Sequence, residues 1–205
     1  MGKMVLCLVL FCTASQALAQ IDPDPNGIGI YFDEEAFIYC MTAPFGVNRT
    51  AYLCLTRASD HSGISAWEAM VEVSQPSAVL SWNLRGQATN TSVPPEFMVQ
   101  MAEPLPWQSS LVLMEIEINI GTAHPVVFRI HPVSEPTVTT TPFPLPAYAG
   151  SDDPSDYKTL GYSWGWDPLT GIPNWCAVIN PAGDCGDDPT ETENTSWGGI
   201  KALYH

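Results

Sequence analysis

Two glutamates in the segment MEIEIN, Glu115 and Glu117, are the side chains best spaced for chemistry in this 205-residue chain. Apolar residues alternate with them, and this predicts a strand that presents both carboxylates on one face. Positions i and i+2 of a strand lie about 7 Å apart, a separation relevant to cleavage of a glycosidic bond. The pair is a catalytic candidate, although a solvent-facing glutamate pair is the commoner explanation of such alternation.

The same segment resembles the E-I-D-I-x-E strand of jelly-roll glycoside hydrolases, and that resemblance implies a hydrolase using Glu115 and Glu117. The chain departs from the pattern twice, since Glu117 stands where the family has Asp and Asn119 stands where it has its acid/base. Protonation of the leaving group would then lack a donor. We therefore expect no catalytic residue and keep the hydrolase as an alternative.

A second motif, GYSWG at 161–165, fits G-x-S-x-G and would make Ser163 a nucleophile. That turn requires a preceding strand, a following helix and an α/β sheet. Two prolines follow in WDPLTGIPNW, and the only downstream histidine is His205. We expect no Ser–His–Asp hydrolase.

Oxygen-bearing side chains with the spacing of a calcium loop begin at Asp22. Asp22, Asp24 and Asn26 fit positions 1, 3 and 5 of D-x-D-x-[DN]-G, and Asp33 falls at position 12. Position 12 of an EF-hand is Glu, and a strand rather than a helix is expected to follow, so an EF-hand is not expected. We expect no cofactor, and a looser calcium site on these four residues is the alternative to a polar lead into the first strand.

Aromatic residues gather in YSWGWDP and PNW. Indole faces beside amide and acidic groups are a plausible platform for stacking sugars, and the alternative is that they cover the sandwich. The candidate ligand-binding residues are Tyr162, Trp164, Trp166 and Trp175.

Four cysteines follow residue 19, as two sequence-local pairs, Cys40 with Cys54 and Cys176 with Cys185. An even count predicts disulfides in an oxidising compartment, and four cysteines allow three pairings. A Cys40–Cys54 bond would contribute roughly 3 kcal/mol through chain entropy. A zinc site is not favoured because the spacing is not CxxC.

Period-two hydrophobicity dominates the chain between residues 26 and 132. In ISAWEAMVEV the pattern places Trp67, Ala69, Val71 and Val73 on one face. The runs are 27–32, 37–42, 48–56, 64–73, 78–86, 111–121 and 125–132, and turn signals separate them. This predicts an all-β, antiparallel β-sandwich of immunoglobulin/cohesin-like or jelly-roll type at 26–132.

The strand patterns also assign individual residues to the core. In 111–121 they place Val112, Met114 and Ile116 in the core, and in 78–86 they place Leu80 and Trp82 there.

Composition changes after the predicted sandwich. The segment 133–149 is rich in Pro and Thr and predicts a linker or edge segment. The region 150–205 is rich in Trp, Gly and Asp, and we expect a disulfide-containing extension packed on the sandwich, with a short terminal helix.

The first nineteen residues have the features of a signal peptide, with Lys3, an apolar run at 4–13 and the small-residue pattern ALA at 17–19. The apolar run is shorter than the ~20 residues that span a bilayer. We therefore predict a secreted protein, extracellular or periplasmic, with no membrane span.

The region after residue 19 is strongly acidic. It holds six basic residues against 22 acidic ones, a net charge of −16. Nucleic acid and anionic membranes need a cationic face, so neither is an expected partner. The expected partners are an extracellular polysaccharide or another secreted protein.

Three segments, GIGIYFDEEAFIYCMTAPF, ISAWEAMVEV and TSWGGIKALYH, together resemble secreted single-sandwich proteins of environmental bacteria, a family with no activity or site residues to transfer. More loosely, the strand pattern is similar to cohesin-type and immunoglobulin-like sandwiches, which are non-catalytic binding modules. The resemblance implies a secreted, non-catalytic β-sandwich with a binding or structural role at the cell surface or extracellularly. The alternatives are a carbohydrate-binding module and the jelly-roll hydrolase.

Overall fold

The structure is a computed structural model, and it describes residues 24–74, 78–121, 124–139, 144–162 and 176–181. These residues form thirteen strands and no helix. The strands are β1 (Gly27–Tyr31), β2 (Cys40–Met41), β3 (Asn48–Thr56), β4 (Ile64–Val73), β5 (Ala78–Leu84), β6 (Ala88–Asn90), β7 (Glu96–Leu105), β8 (Ser110–Asn119), β9 (Val126–His131), β10 (Ala147–Gly150), β11 (Tyr157–Thr159), β12 (Gly161–Tyr162) and β13 (Ala177–Ile179). Within this part of the chain, no helix has the length and hydropathy needed to cross a membrane.

Two sheets form a sandwich. The five-stranded sheet has the order β12-β1-β3-β8-β5. The eight-stranded sheet has the order β11-β10-β4-β9-β13-β2, and β7 joins it by pairing with β4 and with β6. The predicted all-β sandwich is confirmed. The sheets are mixed rather than wholly antiparallel, because β1 pairs in parallel with β12 and β13 with β2.

The core lies between the sheets, where alternate residues of each strand meet. On β4 the predicted face is correct, since Trp67, Ala69 and Val71 are all buried. An aromatic trio crosses the sandwich. Phe97 stacks on Trp67 at 5.9 Å within the eight-stranded sheet and meets Trp82 of the other sheet at 5.1 Å. Burial of such side chains is the main stabilising contribution, at about 1.5–3 kcal/mol for each aliphatic or phenyl group.

Two β-bulges change which residues face the core. In β8 the register with β3 shifts so that Leu53 pairs with Met114 but Cys54 pairs with Val112. Leu113 and Met114 are consequently both buried in the core, and Val112 packs on the opposite face. The core assignment of Val112 is wrong for this reason, because a bulge adds one residue to a strand and reverses the faces beyond it.

A second bulge lies in β5, where Val79 pairs with Ile118 and Ser81 with Glu117. Leu80 is the extra residue and is 51% exposed. The prediction that Leu80 faces the core is therefore wrong, whereas Trp82 packs against the core as expected.

The strand β7 was not among the predicted runs, although it has ten residues. It pairs antiparallel with the central strand β4 and buries Phe97 and Val99. Its first half alternates as a half-buried strand should, while prolines at 94, 95 and 104 give its surroundings the composition of a loop.

The sandwich extends beyond the predicted boundary at residue 132. The strand β4 pairs with β9 through Met70–Val73 and with β10 through its other half, so β9 and β10 share one edge of β4. The strands β11, β12 and β13 also join the sheets. Residues 147–162 and 176–179 are thus part of the sandwich. The predicted terminal helix lies outside the described residues.

The described part of the Pro/Thr-rich segment is fixed to the sandwich by two carboxylates. The backbone N–H and the hydroxyl of Thr137 donate to Glu68, at 2.8 and 2.6 Å. The same two groups of Ser134 donate to Glu96, at 2.9 and 3.2 Å. Residues 134–137 therefore lie against the eight-stranded sheet and do not form a free linker.

Candidate functional site

The outer face of the five-stranded sheet carries the two glutamates that the sequence singles out as catalytic candidates, together with other polar side chains. The strands β3, β5 and β8 direct a set of side chains away from the core, and this set is called the outer face below. It consists of Thr50, Tyr52, Ser81, Asn83, Glu115 and Glu117. The strand register aligns them in two rows, with Glu117 between Thr50 and Ser81 and Glu115 between Tyr52 and Asn83. Directly opposed residues interact across neighbouring strands, so each glutamate has polar neighbours on both sides.

An ion cluster lies at one end of this face. One terminal nitrogen of Arg85 lies 2.7 Å from the Glu34 carboxylate and 2.8 Å from that of Glu115. Burial and the negative charges of Glu34 and Glu115 raise the pKa of the Tyr52 hydroxyl, with burial the largest cause. The cluster joins three parts of the chain that are far apart in sequence.

The loop after β1 brings Glu34 to this cluster. The Asp33 carboxylate accepts hydrogen bonds from the N–H groups of Phe37 and Ile38, the latter at 2.6 Å. Ala36 is buried with φ of 63°, a left-handed conformation that closes the turn. The Ser110 hydroxyl donates to the Glu34 carbonyl at 3.0 Å and ties the loop to β8.

A groove of about 510 Å³ opens beside Arg85, between this loop and the chain that joins β7 to β8. Both charged and apolar side chains line this cavity, which is called the groove below. Its lining includes Glu34, Glu35, Phe37, Arg85, Leu105 and Val112. Its volume lies within the range of pockets that hold small molecules.

The structure places both candidate catalytic glutamates on the outer face, as the alternation predicts. Glu115 pairs with Arg85, and Glu117 accepts a hydrogen bond from the Ser81 hydroxyl at 3.1 Å. Asn119, at the position of the acid/base in the resembling strand, donates to the Asn48 side chain at 2.8 Å. The strand β8 thus offers two engaged carboxylates and an amide.

The candidate calcium ligands are not brought together in the structure. Asn26 precedes β1 and Asp33 follows it, so five strand residues separate them, roughly 16 Å at the usual rise. The Asn26 side-chain oxygen accepts hydrogen bonds from Ser59 N–H and from the Tyr148 hydroxyl, both at 2.7 Å. Asp24 is exposed, and Asp22 lies outside the described residues. Among the residues that are described, no group of three His, Cys, Asp or Glu side chains could hold a metal ion.

The structure describes only one of the four residues of the candidate sugar-binding platform. Tyr162, on β12, packs against the core cluster instead of presenting its ring to solvent, and burial raises the pKa of its hydroxyl. Trp164, Trp166, Trp175 and the candidate nucleophile Ser163 lie outside the described residues.

The cysteines do not pair as sequence-local pairs. Cys54 and Cys176 are buried free thiols, while Cys40 is disulfide-bonded. Cys54 lies in the five-stranded sheet and Cys40 in the eight-stranded sheet, where β2 pairs with β13. The pairings Cys40–Cys54 and Cys176–Cys185 are therefore wrong, and Cys185 lies outside the described residues.

Peptide mapping under non-reducing conditions tests this assignment. We expect Cys40 to be recovered in a disulfide-linked peptide, and Cys54 and Cys176 to be recovered in unlinked peptides. Burial raises the pKa of the Cys176 thiol to about 12 and also raises that of Cys54. Because the thiolate is the reactive form, we expect neither to be alkylated by iodoacetamide until urea unfolds the chain. Rapid alkylation of either in the folded protein would contradict the assignment.

Sequence reasoning missed the residues that build the groove. Arg85 lies in the predicted strand run 78–86 and Phe37 in the run 37–42, whereas Glu34 and Glu35 lie between two predicted runs. No local pattern marks them, because they meet only through the pairing of β1, β3, β8 and β5.

Comparison with known proteins gives structural likeness alone. No protein-family model matches the chain, and no curated protein matches it. Several solved structures match, and they include cohesin modules. A cohesin in a cohesin–dockerin complex from Clostridium thermocellum has 11% identity and a TM-score of 0.47, and the match covers 68% of this chain and 94% of that one.

Two further cohesin modules match at a similar level. The module of a family 33 glycoside hydrolase from Clostridium perfringens has 10% identity and a TM-score of 0.46, with 77% of this chain and 98% of that one covered. A type II cohesin domain from Acetivibrio cellulolyticus has 12% identity and a TM-score of 0.47, with 77% and 96% covered. Matches at this level of identity and TM-score assign neither a family nor a function.

Proposed function

We propose that the chain is a secreted, non-catalytic β-sandwich that binds another protein through the outer face of its five-stranded sheet. The observation that carries the proposal is the groove and the ion cluster beside it, which combine charged, hydroxyl, amide and apolar groups on one accessible surface. Protein interfaces have this mixture, with apolar and arginine anchors inside a polar rim.

Two further features support the proposal. The predicted signal at 1–19 and the net charge of −16 after it suit an extracellular or periplasmic protein. Both candidate catalytic glutamates are engaged by other protein groups, and an amide occupies the position of the missing acid. A binding role needs no such acid.

Site-specific photo-crosslinking tests the binding face. A photoreactive residue replaces Asn83 on the outer face, and in a matched protein it replaces Glu72, an exposed residue on the other sheet. Each protein is irradiated with the extracellular fraction of the producing cells. We expect a discrete protein adduct from position 83 and none from position 72. Because reversing a charge inside an interface disfavours the complex, Glu117→Lys should weaken its formation by about tenfold.

The outcomes separate the alternatives. Equal adducts from both positions, or none from position 83, would contradict a partner on the outer face. In parallel, electrophoresis through a panel of polysaccharides tests sugar binding. Retardation lost in Trp164→Ala or Trp166→Ala would identify a carbohydrate-binding module, and reducing-sugar release lost in Glu115→Gln would identify a hydrolase.

A further inference from the structure

The groove has an excess of negative charge. Arg85 is the one cation among its described lining residues, and its guanidinium is already shared by Glu34 and Glu115. Glu35, which also lines the groove, is exposed and has no ion-pair partner in the described part of the chain. Glu34, Glu35 and Glu115 therefore carry three negative charges at or beside the groove against the single positive charge of Arg85, so the site favours an additional cation.

The lining of the groove also includes apolar side chains. Phe37, Leu105 and Val112 are half-buried and line it. Lysine and arginine side chains pack their methylene stems along apolar surface while the charged end reaches a polar group. Apolar side chains beside carboxylates suit such a side chain better than they suit Ca²⁺ or Mg²⁺, which bind oxygen ligands.

The groove has room for more than one side chain. At about 510 Å³ it is larger than a single lysine or arginine side chain needs. The net charge of −15 for the whole chain also attracts cationic partners at long range. An anionic segment would meet Glu34 and Glu35 unfavourably.

We propose that the groove binds an extended segment of the partner protein in which a lysine or arginine is flanked by apolar side chains. This inference rests on the proposed function and names the partner chemistry of the same surface. The basic side chain pairs with Glu34 and Glu35, and its apolar neighbours pack on Phe37, Leu105 and Val112.

Three acetylated and amidated pentapeptides with terminal glycines test the inference by titration of the ¹⁵N-labelled secreted protein. One peptide has lysine between two leucines, one has glutamate between two leucines, and one has lysine between two serines. We expect saturable amide shifts from the first peptide, confined to residues 34–37, 85–86 and 108–112. The glutamate peptide should cause none, and the serine-flanked peptide should bind about tenfold more weakly, since it lacks the apolar contacts.

Variants and salt provide the controls. Glu34→Gln combined with Glu35→Gln should weaken binding of the first peptide by about tenfold or more, because hydrogen bonds to charged groups are lost. Glu72→Gln combined with Glu103→Gln makes the same change in net charge at exposed positions outside the groove, and it should leave binding unchanged. Raising the salt from about 0.05 to about 0.5 M should weaken binding several-fold. Dispersed amide spectra verify that each variant is folded.

Several results would overturn the inference. These are equal binding of the glutamate peptide, absence of saturation by the lysine–leucine peptide, shifts outside the groove, or shifts of the same amides by cellohexaose or xylohexaose. Crosslinking from position 83 is independent of these titrations. A protein adduct there with failed titrations would leave the proposed function standing with a different partner chemistry, and failure of both would reject both.

Discussion

Replacing Glu68 with alanine is expected to destabilise the protein by about 2–4 kcal/mol. Glu68 is 1% exposed, and its two carboxylate oxygens accept hydrogen bonds from the N–H and the hydroxyl of Thr137. Alanine would leave both Thr137 donors without their acceptor and would release residues 134–137 from β4. Urea unfolding followed by tryptophan fluorescence measures the change.

Related variants show whether these hydrogen bonds are responsible. Glu68→Gln keeps one acceptor oxygen, but its side-chain NH₂ group would face one of the two Thr137 donors. We therefore expect a loss of stability smaller than that of Glu68→Ala. Thr137→Val removes the hydroxyl alone and should cost about 1 kcal/mol. The matched control is Glu117→Ala on the other sheet, where the carboxylate is exposed, and its effect should stay within about 0.5 kcal/mol. A loss in Glu68→Ala no larger than that of the control would contradict the role given to Glu68.

Glu68 also illustrates what the sequence can and cannot predict about the fold. The alternation in β4 correctly separates Trp67, Ala69 and Val71 from Glu68, because the side-chain period of a strand is two. It predicts that Glu68 leaves the core, but the residue is nonetheless buried. Its cover comes from Thr137, 69 residues further along the chain. Whether an outward-facing residue is buried depends on which distant segment of the chain packs over it, and the local sequence does not specify that segment.

The β-bulges are a second feature of the fold that the sequence does not predict. The alternation in β8 is continuous from Met114 to Ile120, and nothing in the residues marks the extra position at Leu113. The bulge becomes evident from the register with β3, which pairs Cys54 with Val112. A one-residue shift reverses the faces beyond it, which places Val112 outside the core. Leu80 is exposed for a different reason, since it is itself the extra residue of the bulge in β5.

The candidate site was predictable only in its parts. The outward position of Glu115 and Glu117 follows from alternation. The contact of Arg85 with Glu34, 51 residues earlier, follows from the strand order β1-β3-β8-β5, which local patterns do not specify. The sequence-local pairing of Cys40 with Cys54 is wrong for a similar reason. Although β2 and β3 follow one another in the chain, they lie in different sheets, and the sheet neighbours of β3 are β1 and β8.

Replacing Trp67 with alanine is expected to have the largest effect on stability, a loss of about 3–5 kcal/mol. The indole is 1% exposed, stacks on Phe97 and lies on β4, the strand that pairs with β7, β9 and β10. Alanine would leave a cavity lined by rigid strands, and close-packed neighbours collapse only partly into such a space. The midpoint of urea unfolding, at unchanged slope, measures the loss.

Phenylalanine at position 67 separates ring packing from the indole N–H. The Trp67 Nε1 is buried and has no hydrogen-bond partner among the described residues. An orphan N–H of this kind costs about 1–3 kcal/mol, so removing it should offset much of the lost volume. We expect Trp67→Phe to cost less than about 1.5 kcal/mol. The matched control is Trp107→Ala, where the indole is 40% exposed and donates to the Ala58 carbonyl. If that variant lost as much stability as Trp67→Ala, the aromatic trio would not be the centre of the core.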